Sequence, residues 1–151
     1  MAKRIYTGPQ DRQPKTITNR TVGAALLPGT AVAVGATSLT QATSASGVRL
    51  ALLSDRDFYS TAQLDATDPL TTAYASGDTG VAYELEPGQR YMWAMAAATY
   101  TNGQELTVAA AGRLAAAAAT NVVVAYYDGA GATLTAGQLA DVAIANFYTK
   151  A

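Results

Sequence analysis

Apolar and polar positions alternate with a period of two through the middle of the chain, the spacing that turns one face of a strand toward a core. In Val81–Glu86, Val81, Tyr83 and Leu85 share a side before Pro87-Gly88 breaks the run. Tyr91–Ala98 follows, aromatic and small-apolar, up to the break at Asn102-Gly103, and Gln104–Ala109 then sets Leu106 and Val108 on one face. Three such runs punctuated by Pro-Gly and Asn-Gly predict a half-buried antiparallel meander. Upstream, Thr21–Leu27 and Thr30–Val34 flank a Pro28-Gly29 turn, and Val48–Leu53 places Val48, Leu50 and Leu52 together. Between them, Gly35–Gly47 is rich in Thr, Ser, Ala and Gly, the profile of a surface loop or a weakly apolar edge.

Beyond the meander, Leu114–Asn121 carries five consecutive alanines and fits a short helix or a small-residue strand. Val122–Tyr127 (VVVAYY) is β-branched and aromatic, hence a strand, and Asp128-Gly129 with Gly131 forms a turn. Leu139–Tyr148 contains both helical and alternating spacings; it is read as a strand, because Gly137 precedes it and an all-β chain needs a closing partner. The sum is an all-β fold, a compact β-barrel or sandwich of about seven or eight short strands, as 151 residues in one domain allow.

Half of the chain is hydrophobic and 14 % charged, so a core is affordable, but much of the apolar content is alanine. Such a core is thin and leans on neighbouring subunits. Cysteine and histidine are both missing. Disulfides, thiolate metal sites, Ser-His-Asp and Cys-His machinery are thereby excluded, together with the commonest general base and pH switch. Glu84 and Glu86 sit two apart on one strand and flank no cleft, unlike a glycosidase pair. The Asp128–Thr133 segment (DGAGAT) lacks the Lys-Ser/Thr of a phosphate loop. No enzymatic activity, metal or cofactor is expected.

The residues 54–76 are the least regular stretch. Asp55, Asp57, Asp65 and Asp68 gather there, and hard cations want clustered carboxylates, but the spacing fits no EF-hand. A structured surface loop is the preferred reading, with contact with a partner as one candidate role. Tyr83, Tyr91, Trp93 and Tyr100 could form an exposed platform for a sugar, the basis of an alternative carbohydrate-binding reading. Against it, Trp93, Tyr91 and Met95 share a face suited to filling the core that alanine leaves thin.

Charge is unevenly spread. Residues 1–20 carry +4 net and the remainder −5. With Pro9 and Pro14 and only isolated apolar anchors, residues 1–20 read as an extended basic arm preceding a single β-domain at 21–151. Its expected partner contacts are Lys3, Arg4, Ile5, Tyr6, Arg12, Lys15, Ile17 and Arg20. Tyr6 is its sole stacking residue, so nucleic acid is not the expected partner. No run of eighteen apolar residues could cross a membrane as a helix, and the polar N-terminus lacks a secretory apolar region, so cytoplasmic synthesis is expected.

Three features resemble the small decoration, or cement, proteins of tailed-phage heads. They are Gly77-Asp78-Thr79 leading into a strand that ends at Pro87-Gly88, an Ala-rich strand followed by Tyr100 to Leu106 (YTNGQEL), and Gly112-Arg113-Leu114 before a last hydrophobic pair of strands. The likeness spans roughly residues 20–148, and the residues 55–75 match it least. It implies a β-tulip-like, compact barrel with an extended N-terminal arm, no catalysis and no cofactor. It also implies a homotrimer on the outer capsid surface of a virion assembled in a bacterial host, bridging major capsid protein subunits. Removing residues 1–20 is then expected to abolish capsid binding and leave the domain folded. Another virion component, such as a tail-associated protein, shares this composition.

Overall fold

Why the alternation persists on both sides of several strands becomes clear from the layers they build. The computed structural model describes residues 4–55 and 70–151, and these form thirteen strands and one short 3₁₀ turn, with no α-helix among the described residues. The chain begins with β1 (Tyr6–Gly8) and then makes β2 (Thr16–Val22), β3 (Ala31–Val34), β4 (Ser38–Gln41), β5 (Leu50–Leu53) and β6 (Thr79–Glu84). The last five close into a barrel in the order β2-β4-β3-β5-β6, with β2 and β4 parallel and the other pairs antiparallel. There follow β7 (Arg90–Ala94), β8 (Ala98–Tyr100), β9 (Glu105–Val108), the 3₁₀ turn Ala110–Gly112, β10 (Leu114–Ala116), β11 (Val122–Tyr127), β12 (Ala132–Leu134) and β13 (Leu139–Thr149). A six-stranded sheet runs β1-β7-β13-β11-β9-β10, and β8 pairs with β12 as a separate ribbon.

Barrel and sheet share a wall. Val32, Ala51, Leu53 and Ala82 fill the barrel with Ile17, Val22 and Leu39, while Ala31, Leu52 and Tyr83 on the same strands point the other way, onto Tyr91, Trp93, Met95 and Val142 of the sheet. A strand buried on both faces has no polar side to show, which is why β5 is almost wholly apolar. The barrel interior has no room to spare: a Cβ at Gly80 would lie 2.7 Å from Val22 Cγ2 and 2.9 Å from Leu39 Cδ1. The barrel is a packed support and not a container.

The predicted meander is corrected. The strands β6, β7 and β9 are not neighbours: β6 lies between β5 and β2, β7 between β1 and β13, and β9 between β11 and β10. Pro87-Gly88 carries the chain from the barrel to the sheet instead of folding it back on itself. Alternation specifies which face of a strand is buried but not which strand lies beside it, and here the neighbours come from distant parts of the chain. Gly35–Gly47, expected as a loop or edge, includes β4 anchored by the fully buried Leu39. The all-β expectation holds, with more strands than eight because several are only three or four residues long. Leu114–Ala116 is strand, not helix, and Leu139–Thr149 is a strand inside the six-stranded sheet, between β7 and β11.

One glycine fixes how the sheet sits on the barrel. Gly112 has φ +65°, and a Cβ there would meet Thr30 Cγ2 at 2.5 Å and the Ala31 carbonyl at 2.7 Å. Its own carbonyl accepts the Trp93 indole N–H at 3.1 Å. Gly112→Ala should therefore lower stability by about 3 kcal/mol, from left-handed strain and overpacking together. Urea denaturation checks this; an unshifted midpoint would mean the seam yields freely.

Tyrosine burial gives the fold an alkaline limit. Tyr91 is fully buried, its ring 5.3 Å from Tyr6 and 5.5 Å from Tyr83, and its hydroxyl donates to Gln89 Oε1 at 2.7 Å. Desolvation foremost, then the neighbouring hydroxyls of Tyr6 and Tyr83, holds its pKa well above the ordinary 10.0. Tyr83 is raised the same way, by desolvation and then by the Asp55 carboxylate. A hydroxyl that stays protonated longer in the folded state contributes stability below the unfolded pKa, and that contribution is lost as pH rises past 10. The denaturation midpoint should be flat between pH 7 and 9 and fall by pH 11. A midpoint constant to pH 11 would contradict this packing.

Candidate functional site

The N-terminal stretch is extended in backbone conformation, and most of it lies on this chain's own sheets. Lys3 is outside the described residues. Ile5 is fully buried and its amide donates to Asp55 Oδ1 at 3.4 Å. Tyr6 pairs with Tyr91 in the β1–β7 ladder, and its ring packs on Tyr83 and Tyr91. Its hydroxyl stands 2.5 Å from the carbonyls of both Pro9 and Arg12, clasping the turn between them. Ile17 is buried inside the barrel. Arg20 is occupied locally, donating to the Gly35 carbonyl at 2.8 Å and to Asn19 Oδ1 at 2.6 Å.

Of the residues expected to meet a partner, Ile5, Tyr6 and Ile17 thus serve the core, and Arg4, Arg12 and Lys15 are the exposed ones. The reason is burial: three isolated apolar anchors, which read as contacts for another protein, find complementary apolar surface within the chain itself. The boundary drawn at residue 20 falls inside β2.

Where β1 runs past the β2–β3 connection, an open groove of about 1090 Å³ forms. Leu27, Met92 and Leu139 make its apolar side, and Arg4, Arg113 and Gln138 add polar groups. Leu27 is 51 % exposed, the most exposed of the large apolar side chains among the described residues. Leu139 is held by close packing: a Cβ at Gly29, whose φ is +81°, would lie 2.6 Å from Leu139 Cδ2. The Arg113 guanidinium lies beside the backbone of Gly137, about where that residue's side chain would project. No Asp or Glu appears among the described residues that line the groove. Among the described residues the ion pairs are Arg49–Glu84 and Glu105–Lys150, and neither groove arginine takes part.

Sequence reasoning did not find this groove. Its residues come from positions 4 to 139, and no local motif joins them.

The other candidates fare differently. Tyr91, Trp93 and Tyr100 are fully buried, so they do not form an exposed stacking platform. Glu84 is taken up by Arg49 at 2.6 Å. Of the Asp128–Thr133 segment, residues 128–131 are the turn into β12 and Ala132 and Thr133 belong to that strand. Asp57, Asp65 and Asp68 lie outside the described residues, and no group of three or more metal-ligating side chains occurs among the described ones. No helix of the described residues is long and apolar enough to cross a membrane.

A second exposed feature was also missed. Phe147, with φ +53°, stands on the surface at a register shift between β13 and β11, next to Tyr148. The Tyr148 hydroxyl meets Glu105 Oε2 at 2.6 Å and the Tyr126 hydroxyl at 3.1 Å.

Compared with known proteins, the chain matches no family model and no curated sequence.

Proposed function

We propose that this protein is a structural component of a tailed-phage virion that decorates the outer capsid surface and stabilises it by bridging major capsid protein subunits. In this reading it acts as a homotrimer and is made in the cytoplasm of the bacterial host. The observation that carries the reading is the groove: an apolar ledge with Leu27 half exposed, flanked by arginines that no carboxylate of the described residues neutralises. An exposed leucine beside cations that take part in no ion pair among the described residues is a surface suited to another macromolecule. The pattern of turns and strands across residues 20–148, similar to that of phage-head decoration proteins, supplies the identity of the partner.

Contact with the capsid is carried by a folded face and not by a free arm. Of the exposed cations, Arg4 precedes β1, Arg12 lies at the end of the turn that Tyr6 clasps, and Lys15 precedes β2. A lattice repeats its binding site many times, and a trimer engages several at once, so modest affinity per contact becomes durable attachment.

Co-sedimentation with expanded, undecorated heads tests the reading. The protein should pellet with heads in a saturable ratio and raise the temperature at which heads rupture. Protein left wholly in the supernatant would overturn it and turn attention to tail components.

A further inference from the structure

The groove's chemistry specifies the kind of segment it takes. We infer that it binds an extended acidic stretch of a partner protein, whose carboxylates meet Arg4 and Arg113 and whose apolar side chains rest on Leu27, Met92 and Leu139. The inference deepens the docking role proposed above and takes the capsid subunit as the natural source of the segment.

Three observations lead to it. First, charge: two guanidinium groups line the groove, with no carboxylate among the described lining residues and no ion pair to either arginine among the described residues. Guanidinium matches carboxylate geometry through two parallel N–H donors, so an acidic side chain is the complementary group. Second, shape: about 1090 Å³ of open groove runs beside the ledge, more than a single side chain would fill. Third, backbone: among the described residues β1 is an edge strand of the six-stranded sheet, with β7 as its one neighbour there. An extended segment lying along such an edge can exchange main-chain hydrogen bonds with it, while its alternate side chains reach the cations and the ledge.

The groove itself, and not the body of the chain, works against a basic occupant. Outside residues 1–20 the chain is acidic by five charges, so the positive groove is a local reversal of sign. Such a reversal steers an acidic segment to one place and repels it elsewhere.

The test uses the full chain and two synthetic octapeptides carrying fluorescein, one alternating Glu and Leu, the other Lys and Leu, followed by fluorescence anisotropy. The Glu-Leu peptide should bind saturably and more weakly as salt rises, and the Lys-Leu peptide should not bind. Arg4→Ala or Arg113→Ala should each weaken binding about fivefold, and the double variant about twenty-five-fold, as exposed charge contacts acting independently would. Arg49→Ala, which removes a cation already paired with Glu84 outside the groove, should bind as the parent does. Equal binding of both peptides, or Glu-Leu binding unchanged in the double variant, would overturn the inference.

Heads separate this inference from the decoration reading. Parent protein and the Arg4→Glu, Arg113→Glu double variant are each mixed with undecorated heads, circular dichroism having verified that both are folded. Attachment of the parent and loss of the variant supports both proposals. Equal attachment of the two sinks the acidic-segment inference and leaves decoration standing. A parent that binds the Glu-Leu peptide but not heads sinks decoration and leaves the inference standing.

Discussion

A chain lacking residues 1–20 is expected not to fold: circular dichroism should show no cooperative thermal transition, and the product should aggregate or elute as an expanded chain. This is the largest effect expected for this protein. The deletion removes β1 with Ile5 and Tyr6, and five of the seven residues of β2, including Ile17. Loss of β2 opens the barrel, because that strand joins β4 on one side and β6 on the other, through Thr16↔Tyr83, Ile17↔Ala82 and Arg20↔Gly80. Losing a large buried side chain costs about 2–5 kcal/mol. Three of them, with a strand from each sheet, exceed the roughly 5–15 kcal/mol that holds a domain together.

The expectation from sequence was the opposite, a domain that folds without its arm. Replacing Arg4, Arg12 and Lys15 by Ser is the informative contrast, since these side chains are exposed. That variant should keep the parent's melting temperature. A truncated protein that melts like the parent would show the assignment of β1 and β2 to be wrong.

Trp93→Ala should lower stability by about 3–5 kcal/mol, the cost of emptying the largest fully buried site of the core. The indole lies among Tyr91, Met95 and Leu114 within the main core, between the sheet and the barrel wall. Its loss also leaves the Gly112 carbonyl without the indole N–H that now meets it at 3.1 Å, a further penalty of about 1–3 kcal/mol if no water replaces it. Trp93→Phe keeps most of the packing and loses the hydrogen bond, so it should fall between parent and Ala variant. Urea denaturation orders the three. The same burial means that Trp93 fluorescence should not respond to oligosaccharides. A large response, or an Ala variant as stable as the parent, would place the indole at the surface.

Much of the local structure was legible. Val122–Tyr127 is strand from the first to the last residue expected, since three valines and two tyrosines leave little alternative. The shared face of Leu50 and Leu52 is the one that meets the sheet core, and Trp93 lies where its spacing with Tyr91 and Met95 put it. What the alternation could not carry was adjacency. Nothing near Tyr91 announces that its ladder partners are Tyr6 and Val142, eighty-five residues before and fifty-one after it. The β4 strand was hidden for a related reason: in SLTQ a single leucine, Leu39, provides the burial, and its neighbours have loop composition.

The candidate site was legible only in its charge. Five cations in the first twenty residues drew attention to the right region, and Arg4 does reach the groove. Its opposing wall could not be read. Leu27 ends a run read as strand, Arg113 follows the Gly112 turn, and Leu139 opens β13, so the three meet only after barrel and sheet have packed. The prolines at 9 and 14 were misleading in a specific way. They break hydrogen-bonded ladders, as in a free arm, but here they fall in the gap between β1 and β2, where no ladder is needed.

Electron cryo-microscopy of undecorated heads mixed with the full-length protein tests the central claim most directly. The expected map has ordered density at one class of lattice symmetry axis. It places the groove side, with Leu27, Arg4 and Arg113, against a capsid subunit, and keeps β1 and β2 within this protein's own sheets. Heads that remain bare would contradict decoration, and a bound protein whose groove faces solvent would contradict the docking face assigned to it.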